Sequence, residues 1–289
     1  MNGILLIDKP EGWTSNDVVQ KLRGMLRERR IGHSGTLDPM ATGLLVVFVG
    51  RATRAVEFAE QHDKRYMAGL RLGLTTDTQD TTGNAISNCV SLPAETELLN
   101  AMEKFKGEIS QIPPMYSAIK VNGQRLYEIA RKGGEVERKA RSIKIHSLDL
   151  IGKEGEDYLL DVCCSKGTYI RTLCHDIGNT LGCGGCMSSL RRTAAGRFSV
   201  ENAVTLETVQ DYVNRKEAEQ LLMPVDRLFD YCPECKVNAF EEKRLRCGSL
   251  IDVNLADGEY RVYSDSGEFL LLGNVKNKVL TTIKSFFEV

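Results

Sequence analysis

The chain has 289 residues and a formal net charge of −1, with 42% hydrophobic and 27% charged residues. That balance suits one large globular domain with a smaller appendage, and it excludes disorder, collagen and coiled coil for the whole chain. The near-zero charge hides an asymmetry, because residues 201–289 carry 11 basic and 16 acidic side chains and leave the first 200 at net +4.

The opening stretch Met1–Lys9 has no basic leader and only a brief apolar run, so neither a signal nor a transit peptide is expected. The longest apolar run, Leu44–Val49, is too short for a bilayer. Together these predict a cytoplasmic protein. Gly3–Ile7 reads as a strand ending at the turn Asp8-Lys-Pro-Glu-Gly12. A capping-box pattern over Thr14–Asp17 then starts a helix with Val18, Val19, Leu22, Met25 and Leu26 inward and Lys21, Arg23 and Arg27 outward. A loop of small residues, Gly32–Gly43, leads into Leu44–Val49, which reads as a central strand.

Alternation predicts strands near Tyr66–Gly73 and at Leu160–Cys164. Helices are expected over Leu98–Phe105 and from Ile170 to Leu181, the second following the turn Ser165–Thr168. Helices interspersed with hairpin-linked strands indicate an α+β fold with a mixed sheet. After about Asp230, short β-rich pieces separated by Asp-Gly and Ser-Gly turns predict a small all-β appendage.

Common cofactor machineries are excluded by inspection: GxxxxGK[ST], GxGxxG after a strand, HExxH and GxSxG are all absent. Nine cysteines include Cys183-Gly-Gly-Cys186 and Cys232-Pro-Glu-Cys235, but 45 residues lie between the two pairs, outside zinc-ribbon spacing. What remains is chemistry on a carboxylate, tyrosine or arginine. Asp38, in the small-residue loop, and the segment Ser165-Lys-Gly-Thr-Tyr-Ile-Arg171 are the candidates. Basic residues cluster at Lys21–Arg30, Lys120–Lys144 and Arg191–Arg197, a distribution that suits a polyanion.

Seven segments carry a more specific resemblance. They are Lys9-Pro-Glu-Gly12, Gly32-His-Ser-Gly-Thr-Leu-Asp-Pro-Met-Ala-Thr-Gly43, Asp63-Lys-Arg-Tyr66, Arg71-Leu-Gly-Leu-Thr-Thr-Asp77, Gln111-Ile-Pro-Pro-Met-Tyr-Ser-Ala-Ile-Lys120, Cys164–Arg171 and Leu190-Arg-Arg192. In this order they resemble the motifs of the TruB family of tRNA pseudouridine-55 synthases, collinearly from about residue 3 to 230. Lys120–Gly133 resembles the RNA-gripping insertion of the family's bacterial branch.

The resemblance implies a pseudouridine synthase fold over residues 1–234: a mixed, largely antiparallel central sheet flanked by helices, with an insertion at about 112–142. It also implies a PUA-like β domain over 235–289. It implies isomerisation of uridine 55 in the tRNA T loop by a protein acting as a monomer without cofactor, metal or protein partner, and helping tRNA to fold. Asp38 is implied as the catalytic aspartate, by attack at C1′, attack at C6 or a glycal-like route. Tyr66 is implied to stack on the base and relay a proton, with Arg171 paired to Asp38 and so favouring its ionised form. Tyr169 and Leu190 are implied to complete the pocket and His33 to fill the gap in the RNA stack. Lys9, Lys120 and Arg54 are implied as further RNA contacts.

Overall fold

The computed structural model describes residues 1–117, 119–121 and 123–287; Ala118 and Asn122, inside two of the segments quoted above, lie outside the described residues, as do Glu288 and Val289. The first strand, β1 (Gly3–Lys9), is followed by α1 (Ser15–Leu26), whose N-terminus is closed by reciprocal bonds between Thr14 and Asp17. Such a cap contributes about 1 kcal/mol to a helix. Next come β2 (Ile31–Ser34), β3 (Thr42–Val49), the short helix α2 (Val56–Glu60) and β4 (Lys64–Leu72). The hairpin β5 (Leu74–Thr76) and β6 (Ala85–Asn88) precedes α3 (Glu95–Glu103) and β7 (Gly107–Gln111). Then come β8 (Lys120–Val121), β9 (Gln124–Arg125) and α4 (Leu126–Ala130), within the stretch expected to be an insertion. The long hairpin β10 (Arg141–Glu154) and β11 (Asp157–Cys164) leads through α5 (Ile170–Thr180) to β12 (Gly185–Ala195), β13 (Phe198–Ser199) and α6 (Leu206–Asn214).

These strands build one mixed sheet in the order β1-β3-β12-β4-β11-β10-β7, with β2 added to β3 and β13 to β12. Every pairing is antiparallel except β12 with β3. The unbroken apolar run of β3 follows from burial on both faces. Leu44, Val46 and Phe48 enter one core with Ile4 and Leu6, while Leu45, Val47 and Val49 enter another with Leu5, Ile7, Val18 and Leu22 of α1. On the other half of the sheet, α3 and α5 cover Leu70, Leu160, Val162 and Met187.

A second sheet has the order β14-β16-β17-β18-β15, from β14 (Glu234–Val237), β15 (Ile251–Asp252), β16 (Gly258–Ser264), β17 (Phe269–Lys276) and β18 (Val279–Ser285). The stretch expected to be all-β also contains a helix, α7 (Ala239–Arg246), capped by Asn238 and Glu241. Its only buried residue is Leu245, so it has too little apolar periodicity to be read from sequence. The two sheets share a core. Phe58 and Phe229 pack edge to face at 5.2 Å, and Phe286 lies 5.9 Å from Phe229 and stacks on Phe269 at 5.2 Å. No helix among the described residues is long and apolar enough to cross a membrane.

One glycine sits at the parallel join of β12 with β3. Gly43 has φ +94°, and a Cβ placed there would lie 2.4 Å from the Arg192 carbonyl oxygen. Gly43→Ala should therefore destabilise the fold by about 2–4 kcal/mol in urea titration, combining left-handed strain with a backbone clash.

Candidate active site

The small-residue segment before β3 is shorter than its composition suggests. Residues 31–34 pair with β3 as strand β2, His33 facing Val47, and the loop proper runs over 35–41. Glycine and serine at 32 and 34 conceal that strand from a propensity reading. The loop is fixed from three sides. The buried Ser15 hydroxyl accepts from the Leu37 N–H (2.9 Å) and donates to the Leu37 carbonyl (3.1 Å). The Pro39 carbonyl accepts from the Gly12 N–H (2.8 Å) and the Lys9 ammonium (3.3 Å), and the Asp38 carbonyl accepts from the Ala41 N–H (3.0 Å). Asp38 therefore projects from backbone that is bonded on both flanks.

Arg171 meets it from the first turn of α5. Its Nε lies 2.9 Å from Asp38 Oδ2 and its Nη2 donates to Oδ1 at 3.2 Å, a bidentate pair. The same guanidinium donates to the carbonyls of Tyr116 (2.7 Å) and Thr78 (3.2 Å), and its Nη1 lies 3.7 Å from the Asp80 carboxylate. Arg171 is only 5% exposed, whereas 34% of the Asp38 side chain remains accessible, so a substrate atom can reach the carboxylate but not its partner.

Burial pushes the Asp38 carboxyl above its usual range, and the nearby Asp80 adds to the rise; Arg171 and Lys9 pull against it and lose. The expected pairing exists, yet burial outweighs its effect on ionisation. A partly buried carboxylate held ready for ionisation by one arginine is an arrangement suited to nucleophilic or proton-transfer chemistry.

Tyr66, on β4, is 8% exposed and packs in one cluster with Leu37, Ala41 and Leu190. Burial raises its phenol, against the pull of the neighbouring Arg192, so the hydroxyl keeps its proton near neutrality. Arg192 is 1% exposed and donates to the carbonyls of Leu44 (2.7 Å) and Gly35 (3.0 Å), tying β12 to the Asp38 loop. Tyr169 is the N-cap of α5; the Gln111 amide accepts from its N–H (2.8 Å) and donates to its carbonyl (3.1 Å). His33 is half-buried with an unpartnered Nδ1 among the described residues, and burial together with Arg192 holds it neutral. Lys120 lies exposed on the β8–β9 hairpin.

Two expected RNA contacts are bonded within the protein. Lys9 is fully buried, and its ammonium donates to the carbonyls of Pro10 (2.8 Å), Trp13 (2.6 Å) and Pro39 (3.3 Å). Burial lowers it to about 8. It supports the Asp38 loop from beneath. Arg54, which stays exposed, bonds the Ser285 carbonyl (3.0 Å) and hydroxyl (2.9 Å), tying the segment between β3 and α2 to the end of β18. The Arg191–Arg197 cluster likewise dissolves into internal pairs, with Arg191 on Asp8 (2.7 Å) and Arg197 on Asp230 (2.6 Å).

Arg125, Arg131, Lys132, Lys139, Arg141 and Lys144 are exposed, with Arg125 and Arg131 over the Tyr127 ring at 5.8 and 5.4 Å. The nine cysteines are free, and no group of three or more His, Cys, Asp or Glu side chains among the described residues could hold a metal.

No role for Asp80, Arg192, Gln111 or Ser15 is read from the sequence, although Gln111 and Arg192 lie in the quoted segments. Asp80 is 5% exposed, with its Oδ1 accepting from the Thr78 hydroxyl (2.7 Å) and from the Thr82 hydroxyl (2.6 Å) and N–H (3.0 Å). The dense run Thr75-Thr-Asp-Thr-Gln-Asp-Thr-Thr-Gly83 was the available signal, since such residues make side-chain-to-backbone turns.

Residues 23–170 match the family model described as the TruB family pseudouridylate synthase N-terminal domain, and residues 171–230 match that of the tRNA pseudouridylate synthase B C-terminal domain. The tRNA pseudouridine synthase B of Clostridium kluyveri is 42% identical over 292 residues, covering 99% of this chain and 100% of that protein. The protein of the same name from Aromatoleum aromaticum is 45% identical over 274 residues, covering 94% and 88%. A solved structure, the crystal structure of a Cbf5–Nop10–Gar1 complex, superposes with a TM-score of 0.75 at 26% identity, over 99% of this chain and 85% of that one.

Proposed function

The chain belongs to the TruB family of pseudouridylate synthases, and from that premise we propose that it converts uridine 55 of the tRNA T loop to pseudouridine, with Asp38 as the catalytic carboxylate. The pairing of Asp38 with a buried Arg171, on a loop bonded at both flanks, carries the proposal. The reaction is a rearrangement: the N1–C1′ bond breaks, a C5–C1′ bond forms, and the C5 proton leaves as N1 gains one. Atoms balance without an oxidant or co-reactant. The ionised carboxylate serves as nucleophile at C1′ or C6, or as base along a glycal-like path.

A base inside a folded loop must first leave its stack, at a cost of a few kcal/mol. Stacking on an aromatic ring returns about 1–3 kcal/mol, which Tyr66, clustered with Leu190, would supply. A neutral His33 is suited to stand in for the extruded base without drawing in a counter-charge. The exposed cations of residues 120–144 and of Lys21–Arg30 would hold phosphates and set the register of the RNA without reading its sequence. We take the second sheet, residues 235–289, as a PUA-like domain and the protein as a monomer.

The test is chemical mapping of pseudouridine in an unmodified tRNA transcript after incubation with the purified protein. Modification at position 55 alone is expected, and the isolated T-arm hairpin should be a substrate. Modification elsewhere in tRNA, or of ribosomal fragments in preference, would refute the position assignment.

A further inference from the structure

The turn between β5 and β6 holds a residue to which the reaction as described gives no task. Gln79 stands at φ +64°, in the left-handed region that side chains other than glycine's rarely adopt. Its side-chain oxygen accepts from the Thr172 hydroxyl at 2.8 Å. Thr172 is 3% exposed and follows Arg171 directly on α5. The Gln79 carbonyl accepts from the Met187 N–H of β12 at 3.0 Å. Both chain neighbours of Gln79 meet Arg171, Thr78 through its carbonyl (3.2 Å) and Asp80 through its carboxylate (3.7 Å). Residues 78–80 thus face residues 171 and 172 at three points, and Gln79 supplies the middle one.

We propose that Gln79 is a positioning residue for the isomerisation: its latch to Thr172 sets Thr78 and Asp80 against Arg171 and so fixes the guanidinium fork that holds Asp38. This rests on the reading of Asp38 and Arg171 given above and extends it one layer outward. An unlatched turn would let the fork rotate, and small misplacements at a reacting group are expensive in rate. The charged and titratable groups facing Asp38 are Arg171, Asp80 and Lys9, with the phenols of Tyr66 and Tyr169 nearby. The substitutions below change none of them.

Gln79→Gly keeps the backbone turn and deletes the latch, Thr172→Val deletes it from the other side, and Thr172→Ser keeps the hydroxyl. Each is measured by single-turnover pseudouridine formation across pH, by tRNA affinity and by Tm. Gln79→Gly and Thr172→Val should each slow the reaction about tenfold to a hundredfold with Kd within about twofold. Their double should be no slower than the worse single. The acid limb of the rate profile should move to higher pH, because a misaligned Arg171 opposes the burial of Asp38 less well. Thr172→Ser should recover most of the rate that Thr172→Val loses.

Wild-type rate and acid limb in both latch variants overturn the proposal. So does a rate loss that tracks a falling Tm or a rising Kd, which would make the bond merely structural. Asp38→Asn, run alongside, keeps the two readings distinct: turnover by that variant would refute the catalytic assignment itself.

Discussion

Asp38→Asn should abolish pseudouridine formation, by about 10⁴-fold or more in single turnover, while tRNA binding stays intact. Asparagine matches aspartate in size, and its carbonyl can still accept one of the two bonds from Arg171. Asp80 continues to neutralise the guanidinium at 3.7 Å. Fold stability should therefore remain within about 1 kcal/mol of the parent. The loss isolates chemistry from grip, because the exposed cations at 120–144 are untouched. A binding protein whose catalysis were incidental would behave oppositely to an enzyme here only in product formation, so mapping and a filter-binding isotherm on the same preparation decide the matter. Normal turnover by Asp38→Asn would remove the assignment.

Arg171→Met should be nearly as damaging and should also change the pH profile. With the guanidinium gone, Asp38 and Asp80 face one another with no cation of that quality between them. Burial already raises the Asp38 carboxyl and Asp80 raises it further, so the variant should hold its proton to higher pH still. In the parent, the folded carboxyl keeps its proton to higher pH than the unfolded chain does. Stability therefore declines as pH climbs from the ordinary aspartate value through the raised one, and activity, which needs the ionised form, rises over the same interval. In Arg171→Met that rise should start later, leaving at least a hundredfold deficit at neutral pH.

Breaking a buried pair from one side also costs about 3–5 kcal/mol. Arg171→Lys should fall between the two, since a single ammonium cannot serve Asp38, Thr78 and Tyr116 together. An acid limb identical to the parent's would refute the electrostatic role.

The capped α1, the doubly buried β3 and the alternating β4 and β11 were legible because each obeys one local rule strongly. Asp38 and Arg171 could be named because their segments are long and distinctive. Charge was taken for exposure at Lys9, which is fully buried. Arg54, Arg191 and Arg197 are also bonded within the protein, but Arg54 and Arg197 stay exposed and Arg191 partly so. A lysine buried against three carbonyls has the same one-letter code as a solvated one, and only the packed fold tells them apart. Asp80 and Gln79 escaped notice for the converse reason: a polar turn usually lies in water, but here it seals the back of the site.

The aromatic cluster of Phe58, Phe229, Phe269 and Phe286 makes the C-terminal strands less like a detachable cassette than their separate hydrogen-bond ladder implies. A lineage could not discard or exchange that module by a simple truncation, because the remnant would bare a greasy scar beside α2. Any graft onto this scaffold must bring its own rings to fill the seam.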